Sequence, residues 1–378
     1  MRELYLDNAA TTEIDKVVLE KFVENSKKYF ANPSSQHRFG RLSKEKLEFS
    51  RNKIAKFIGA DDGEIYFTSG GTEGNNLILR GLAEANPEKK QIIISKIEHP
   101  SILEVCKFLE NKGYKIDYLD VDSEGFVNLE QLENKISEDT LLVSIMFVNN
   151  EIGTIQDIKR ISGICKSFDV LFHTDAVQAF SKLDIDVSSL GIDLLTVSGH
   201  KINAPKGVGF VYIKKGIRFK SLFKGGGQEK GIRSGTENLL SVIALSDALD
   251  IKENKEKIKL ARDKIIEAFS GVKGVILNGP LKNRIYNNIN LSFYGVEGES
   301  IMLLLDEVGI FVSTGSACNS NKLKGSHVLE ALGVEELYIN GSIRMTIGEL
   351  TDEETDFIIL KLKEVVKRLS EISPFKLK

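Results

Sequence analysis

The sequence predicts an α/β fold, a largely parallel sheet covered by helices, with a smaller α+β region after it. Short apolar runs alternate with helical stretches through the first two thirds of the chain, as successive βα units require. The last third turns to a long helical region and then to mixed strands and helices. At 378 residues, 42% of them hydrophobic, the chain is too long for one simple core and can bury a sizeable one.

Taken in order, Glu64–Phe67 reads as a strand, followed by a glycine-rich turn and a helix from about Thr72. Gln91–Ser95 is a short buried strand, and Ser101–Asn111 a helix with Ile102, Leu103, Cys106 and Leu109 inward. Leu141–Val148 is a strand, and Ile155–Phe168 a helix with Ile158, Ile161 and Ile164 on one side. Val170–Phe172, Leu194–Val197 and Gly207–Ile213 are further strands. Asn238–Phe269 reads as one long, bent helical region with a charged middle. A strand at Asn288–Phe293, a helix at Glu299–Val308 and a strand at Ser342–Ile347 follow. The closing helix opens on a capping box, Thr351 and Glu354, and carries the stripe Ile358, Leu362, Val365, Leu369 and Ile372. The change of character places a domain boundary near residue 250, with residues 13–250 in the large domain.

The net charge of −3 is spread along the chain and gives no electrostatic case for nucleic acid. The longest apolar run, Leu141–Val148, is broken by Ser144 and is too short to span a bilayer. Met1–Asp7 has no basic stretch followed by an apolar one, so no signal peptide is visible, and the expectation is a soluble, cytoplasmic protein. The three cysteines form no C-x-x-C pair, which argues against a zinc or dithiol motif.

Four segments have the composition of a chemical site. Thr68–Asn75 lies between strand and helix with Gly70 and Gly71 adjacent. That suits an anion at a helix N-terminus, or equally an ordinary polar turn. Asp175 and Gln178 follow one apolar strand, and Ser198, His200 and Lys201 follow another. Strand ends are where ligands collect in open sheets. Singly these are turn and surface residues; together a lysine amine and a carboxylate serve imine chemistry on a pyridinium ring. Gly225–Thr236 is a long glycine-dense loop, either a plain surface loop or a functional one. Cys106 and Cys165 sit in amphipathic stretches and read as packed hydrophobes. Cys318 lies among Gly, Ser and Asn, where an accessible thiol is either incidental or nucleophilic.

Read together, these segments resemble the fold-type-I, class V pyridoxal-phosphate enzymes. More narrowly they are similar to the class I cysteine desulfurases of iron–sulfur-cluster assembly and nitrogenase maturation. The resemblance runs nearly end to end. It includes Tyr5–Thr12, Asn32–His37, Thr68–Asn75, Glu98–Ser101, Val148–Gly153, the Asp175 and Lys201 motifs, Arg233–Thr236 and Gly315–Cys318.

The resemblance implies a mainly parallel sheet of the seven-stranded type in the large domain. Residues 1–12 and 251–378 would form the small domain, carrying a mobile loop with the catalytic cysteine. It implies pyridoxal 5'-phosphate as cofactor, no metal, and L-cysteine as substrate. Lys201 would bind the cofactor covalently and later shuttle the Cα proton. Asp175 would pair with the ring nitrogen, and His99 would stack on the ring. Gln178 and Asn150 would contact the phenolic-oxygen side. Thr72, Ser198 and His200, with the Gly71 backbone, would hold the phosphate. Thr236 would reach that phosphate from a partner subunit, so a homodimer with shared sites is implied. Arg344 would clamp the substrate carboxylate, in place of the surface salt bridge it otherwise suggests. Cys318 would take sulfur as a persulfide and hand it to an acceptor protein such as an iron–sulfur scaffold.

Three positions depart from the pattern: Lys224 where histidine is common, Glu349 where arginine is common, and Lys322–Gly325 where Glu-Pro is usual. A class V aminotransferase or a selenocysteine lyase would keep Lys201, Asp175 and His99. Only the desulfurase needs Cys318 where it stands. A non-catalytic scaffold would need neither Asp175 nor Lys201.

Overall fold

The computed structural model describes residues 3–314 and 325–376. Its strands, in chain order, are β1 (Leu4–Tyr5), β2 (Ile65–Thr68), β3 (Gln91–Ser95), β4 (Lys115–Leu119), β5 (Thr140–Ser144) and β6 (Leu171–Asp175). They continue as β7 (Leu194–Ser198), β8 (Gly209–Ile213), β9 (Val275–Leu277), β10 (Asn288–Phe293), β11 (Ile310–Phe311) and β12 (Ser342–Thr346). A seven-stranded sheet has the order β2-β8-β7-β6-β5-β3-β4. The β3–β4, β3–β5, β5–β6 and β6–β7 pairs are parallel, and β8 runs antiparallel to both β7 and β2.

Every residue of β3, β5, β7 and β8 is buried, because helices cover both faces. Strand alternation divides the apolar side chains between two cores. Ile93, Val143, Phe172, Leu195 and Phe210 point to one, and Ile92, Ile94, Leu142, Leu194 and Val211 to the other.

Two expected elements are shorter than the apolar pattern suggests. The strand expected to reach Val148 ends at Ser144. Toward β6 the hydrogen bonds run on, Ile145 and Phe147 donating to the His173 and Asp175 carbonyls. On the β3 side the Met146 N–H goes to the Glu98 carboxylate, so pairing with β3 stops. The helix expected from Ile155 starts at Ile158, where Asp157 caps it through the Arg160 N–H. The long region from Asn238 is two helices, Leu239–Ala248 and Lys255–Glu267. Asn254 makes the break by capping the second through the Lys257 N–H.

In the C-terminal third, β10 pairs antiparallel with β12 and β9. The N-terminal β1 joins this region by pairing with β11, and Asp7 bridges to Thr346. The final helix, Asp352–Ile372, has the expected capping box, and Ile358, Leu362 and Val365 are buried. Ile372, at the end of that stripe, is 76% exposed, because the last turn runs past the core. Among the described residues, no helix is long and apolar enough to cross a membrane.

Candidate active site

The ends of β5, β6 and β7 and the turn after β2 converge on a cavity of about 290 Å³. Its lining includes Gly71, Thr72, His99, Asn150, Asp175, Gln178, Ser198, His200, Lys201 and Arg344, ten of the twelve residues expected from the sequence. Thr236 does not line it and is exposed on the glycine-rich loop. Cys318 lies outside the described residues.

At one end, Gly70 has φ 151°, a value that side-chain-bearing residues avoid, and the helix Gly71–Ala85 begins without a side-chain cap. A Cβ on Gly71 would come within 2.9 Å of Val177, so the backbone here is open only because both residues are glycine. The uncapped helix start, Thr72, Ser198 and His200 form a neutral, donor-rich cradle of the kind a phosphate requires. Burial, with Lys201, Lys206 and Lys182 nearby, pushes the His200 pKa down to about 4. His200 is therefore neutral at pH 7.

Asp175 closes β6 and is 6% exposed. Its Oδ1 accepts the Val177 N–H at 3.0 Å, and its Oδ2 accepts the Asn75 amide at 2.7 Å. Neither partner is a cation, so the carboxylate suits a protonated ring nitrogen. Lys201, in a single 3-10 turn after β7, donates to the Ala9 and Ala10 carbonyls at 2.6 and 2.5 Å. Gln178 also donates to Ala9 O, at 3.0 Å, and accepts from buried Lys182 at 3.2 Å. Arg344 is 3% exposed, pairs with Asp7 at 2.7 Å and donates to Asn150 O. Its Nε is buried and has no partner among the described residues, and the residue lines the cavity. Amine, carboxylate, imidazole and phosphate cradle together fit pyridoxal 5'-phosphate.

His99 caps the helix Pro100–Glu110, and its Nδ1 accepts the Ser101 N–H. Burial pushes its pKa down; Asp175 opposes this, and Lys201 and His327 add to it. The adjacent Glu98 is fully buried. Its Oε1 accepts from the Ser95 hydroxyl and the Met146 N–H, while its Oε2 has no partner among the described residues. Burial raises its pKa to about 8 despite those two bonds. His173, part of the Asp175 motif, is structural: it bridges Ser144 and Thr196 within the sheet, and burial drives its pKa to about 3.

The sequence reading missed Asn75 and Asp7 as partners of the site. For Asn75 a signal existed, since it falls on the face made by Ile78, Leu79 and Leu82 and an amide among core positions needs a reason. Cys106 and Cys165 are buried as expected. Burial raises both thiol pKa values, that of Cys165 to about 12, and keeps them out of thiolate chemistry.

The fold and the cavity are those of a pyridoxal-phosphate enzyme, and the chain belongs to the class-V aminotransferase family, whose model matches residues 4–355. Within that family its relatives are cysteine desulfurases. It is 48% identical to "Cysteine desulfurase IscS" of Dictyoglomus turgidum, over 99% of this chain and 97% of that protein. It is 45% identical to the protein of the same name from Methanosarcina thermophila, over 99% and 94%. A solved structure described as a NifS-like protein superposes with a TM-score of 0.91 at 37% identity, covering 97% of this chain and all of that one.

Proposed function

We propose that the chain is a pyridoxal-phosphate-dependent cysteine desulfurase, which takes sulfur from L-cysteine onto Cys318 and releases L-alanine. The observation that carries this is the meeting of Lys201, Asp175, His99 and Arg344 in one cavity beside an uncapped helix N-terminus. Pyridoxal phosphate, when bound, supplies an electron sink for the substrate's Cα. Asp175 holds a proton on the ring nitrogen. Arg344, which lines the cavity, receives the substrate carboxylate. Lys201 Nζ takes the Cα proton; a free lysine titrates near ~10.4, so it must be held neutral to do so. The Cys318 thiolate forms an S–S bond with the substrate sulfur as the Cβ–S bond breaks. That bond's electron pair stays with the carbon fragment, which is protonated to alanine, and no external oxidant or reductant is needed.

The finer reading concerns assembly. The loop bearing Thr236 is held by two bidentate ion pairs. Arg51 meets Glu229 at 2.7 and 2.8 Å, and Arg233 meets Glu73 at 2.8 and 3.2 Å. A fixed, exposed Thr236 supports its reaching a partner's phosphate in a homodimer. An acceptor such as an iron–sulfur scaffold, a cytoplasmic location and a small domain of residues 1–12 and 251–378 belong to the same reading. A selenocysteine lyase or an aminotransferase would use the same cavity without Cys318.

The test is incubation of the holoenzyme with L-cysteine and a thiol reductant, with alanine and sulfide quantified. Equal amounts of both, absent in Lys201→Ala, are expected. A keto acid in place of alanine would mark an aminotransferase.

A further inference from the structure

We propose that Ser101 and Asn75 are positioning residues that hold His99 as the neutral imidazole with its proton on Nε2 and tie it to the Asp175 carboxylate. The inference rests on the reading of the cavity as a cofactor site and adds two residues to it.

The assignment follows from donors whose direction is certain. A backbone N–H can only donate, and the Ser101 N–H lies 3.1 Å from His99 Nδ1. That nitrogen therefore presents a lone pair, and the proton of the neutral ring sits on Nε2. The Ser101 hydroxyl is 2.8 Å from the same nitrogen. It also receives an N–H from the Asn75 amide at 2.8 Å, so its own proton is free to point at Nδ1. The other N–H of that amide goes to Asp175 Oδ2 at 2.7 Å. One fully buried amide thus spans the helices Gly71–Ala85 and Pro100–Glu110 and serves carboxylate and serine together.

Protonating Nδ1 would set it against two donors and break this chain. The charged and titratable groups facing His99 are Asp175, which favours the imidazolium, and Lys201 and His327, which oppose it. Asp175 already takes two neutral donors, which weakens its pull on the ring. His99 is left with an N–H on Nε2, which can donate a hydrogen bond while the ring stays neutral.

The decisive measurement is the ¹⁵N solid-state spectrum of holoenzyme labelled at histidine, with the His99 signals identified by their loss in His99→Gln. Between about pH 6 and 9 the spectrum is expected to show Nδ1 unprotonated and Nε2 protonated. A protonated Nδ1 in that range overturns the proposal. As a kinetic check, Ser101→Ala should move the acid limb of the kcat/KM profile to higher pH, with about a five- to tenfold loss below neutrality. Ser101→Thr, which keeps the hydroxyl, should restore the parent profile, and Asn75→Leu should shift the limb as Ser101→Ala does. Identical profiles for parent, Ser101→Ala and Asn75→Leu overturn it. The spectrum is independent of turnover: an enzyme inert toward cysteine with the expected tautomer would sink the desulfurase reading alone.

Discussion

Replacing Arg51 by methionine should destabilise the protein far more than replacing Arg51 and Glu229 together by apolar residues. The side chains are 4% and 2% exposed, and the guanidinium meets the carboxylate through both Nη atoms. Arg51 also donates to Ile65 O at 2.8 Å and lies over the Phe67 ring at 4.6 Å. Burial opposes its charge, yet Glu229 and Glu48 raise its pKa overall. In Arg51→Met, Glu229 keeps the Phe67 N–H but loses its cation, and an orphaned buried charge costs about 3–5 kcal/mol. Unfolding entropy for a chain of this length is about 0.8 kcal/mol/K, so the melting temperature should fall by about 5 °C. Arg51→Met/Glu229→Leu removes both charges and should regain about half of that loss. The assay is thermal unfolding of the cofactor-free protein by far-ultraviolet circular dichroism at fixed concentration. A double variant no more stable than Arg51→Met, or an Arg51→Met within about 1 °C of the parent, would refute the reasoning.

Glu98→Gln should flatten stability against pH. A buried carboxyl raised to about 8 keeps its proton in the folded state when the unfolded chain has lost it. Its contribution is therefore full below about pH 4.5 and falls as pH rises to about 8. Melting curves at about pH 5 and about pH 9 check this, and parallel losses in parent and variant would contradict it. Gly209→Ala should weaken cofactor binding, because its Cβ would come within 2.8 Å of Gly70 Cα and meet the Val197 carbonyl, both backbone. An unchanged dissociation constant by fluorescence titration would refute that. Lys201→Ala should bind the cofactor without the visible absorption of the lysine-linked form, and a retained band would contradict its role.

Asp175, Gln178, Ser198, His200 and Lys201 were legible because they follow strands, whereas His99, Asn150, Arg344 and Thr236 were indicated only by the family resemblance. Apolar runs locate β6 and β7, and the polar residues after them fall at the strand ends by necessity. Asn75 and Asp7 were less legible. Asn75 acts across a helix–helix contact, and Asp7 meets Arg344 across 337 positions of chain, so local pattern does not encode either contact. The early end of β5 was hidden for the same reason: Glu98, far away in sequence, takes the Met146 N–H. The split of 238–269 was readable in principle from Asn254, a good cap inside an otherwise helical run.

Mass spectrometry of the holoenzyme after brief exposure to L-cysteine tests the assignment of Cys318 most directly. The tryptic peptide containing that residue should gain the mass of one sulfur, lost on reduction and absent from Cys318→Ser and Lys201→Ala. Alanine and sulfide production by Cys318→Ser at the parent rate, or added sulfur on Cys106 or Cys165 instead, would contradict it.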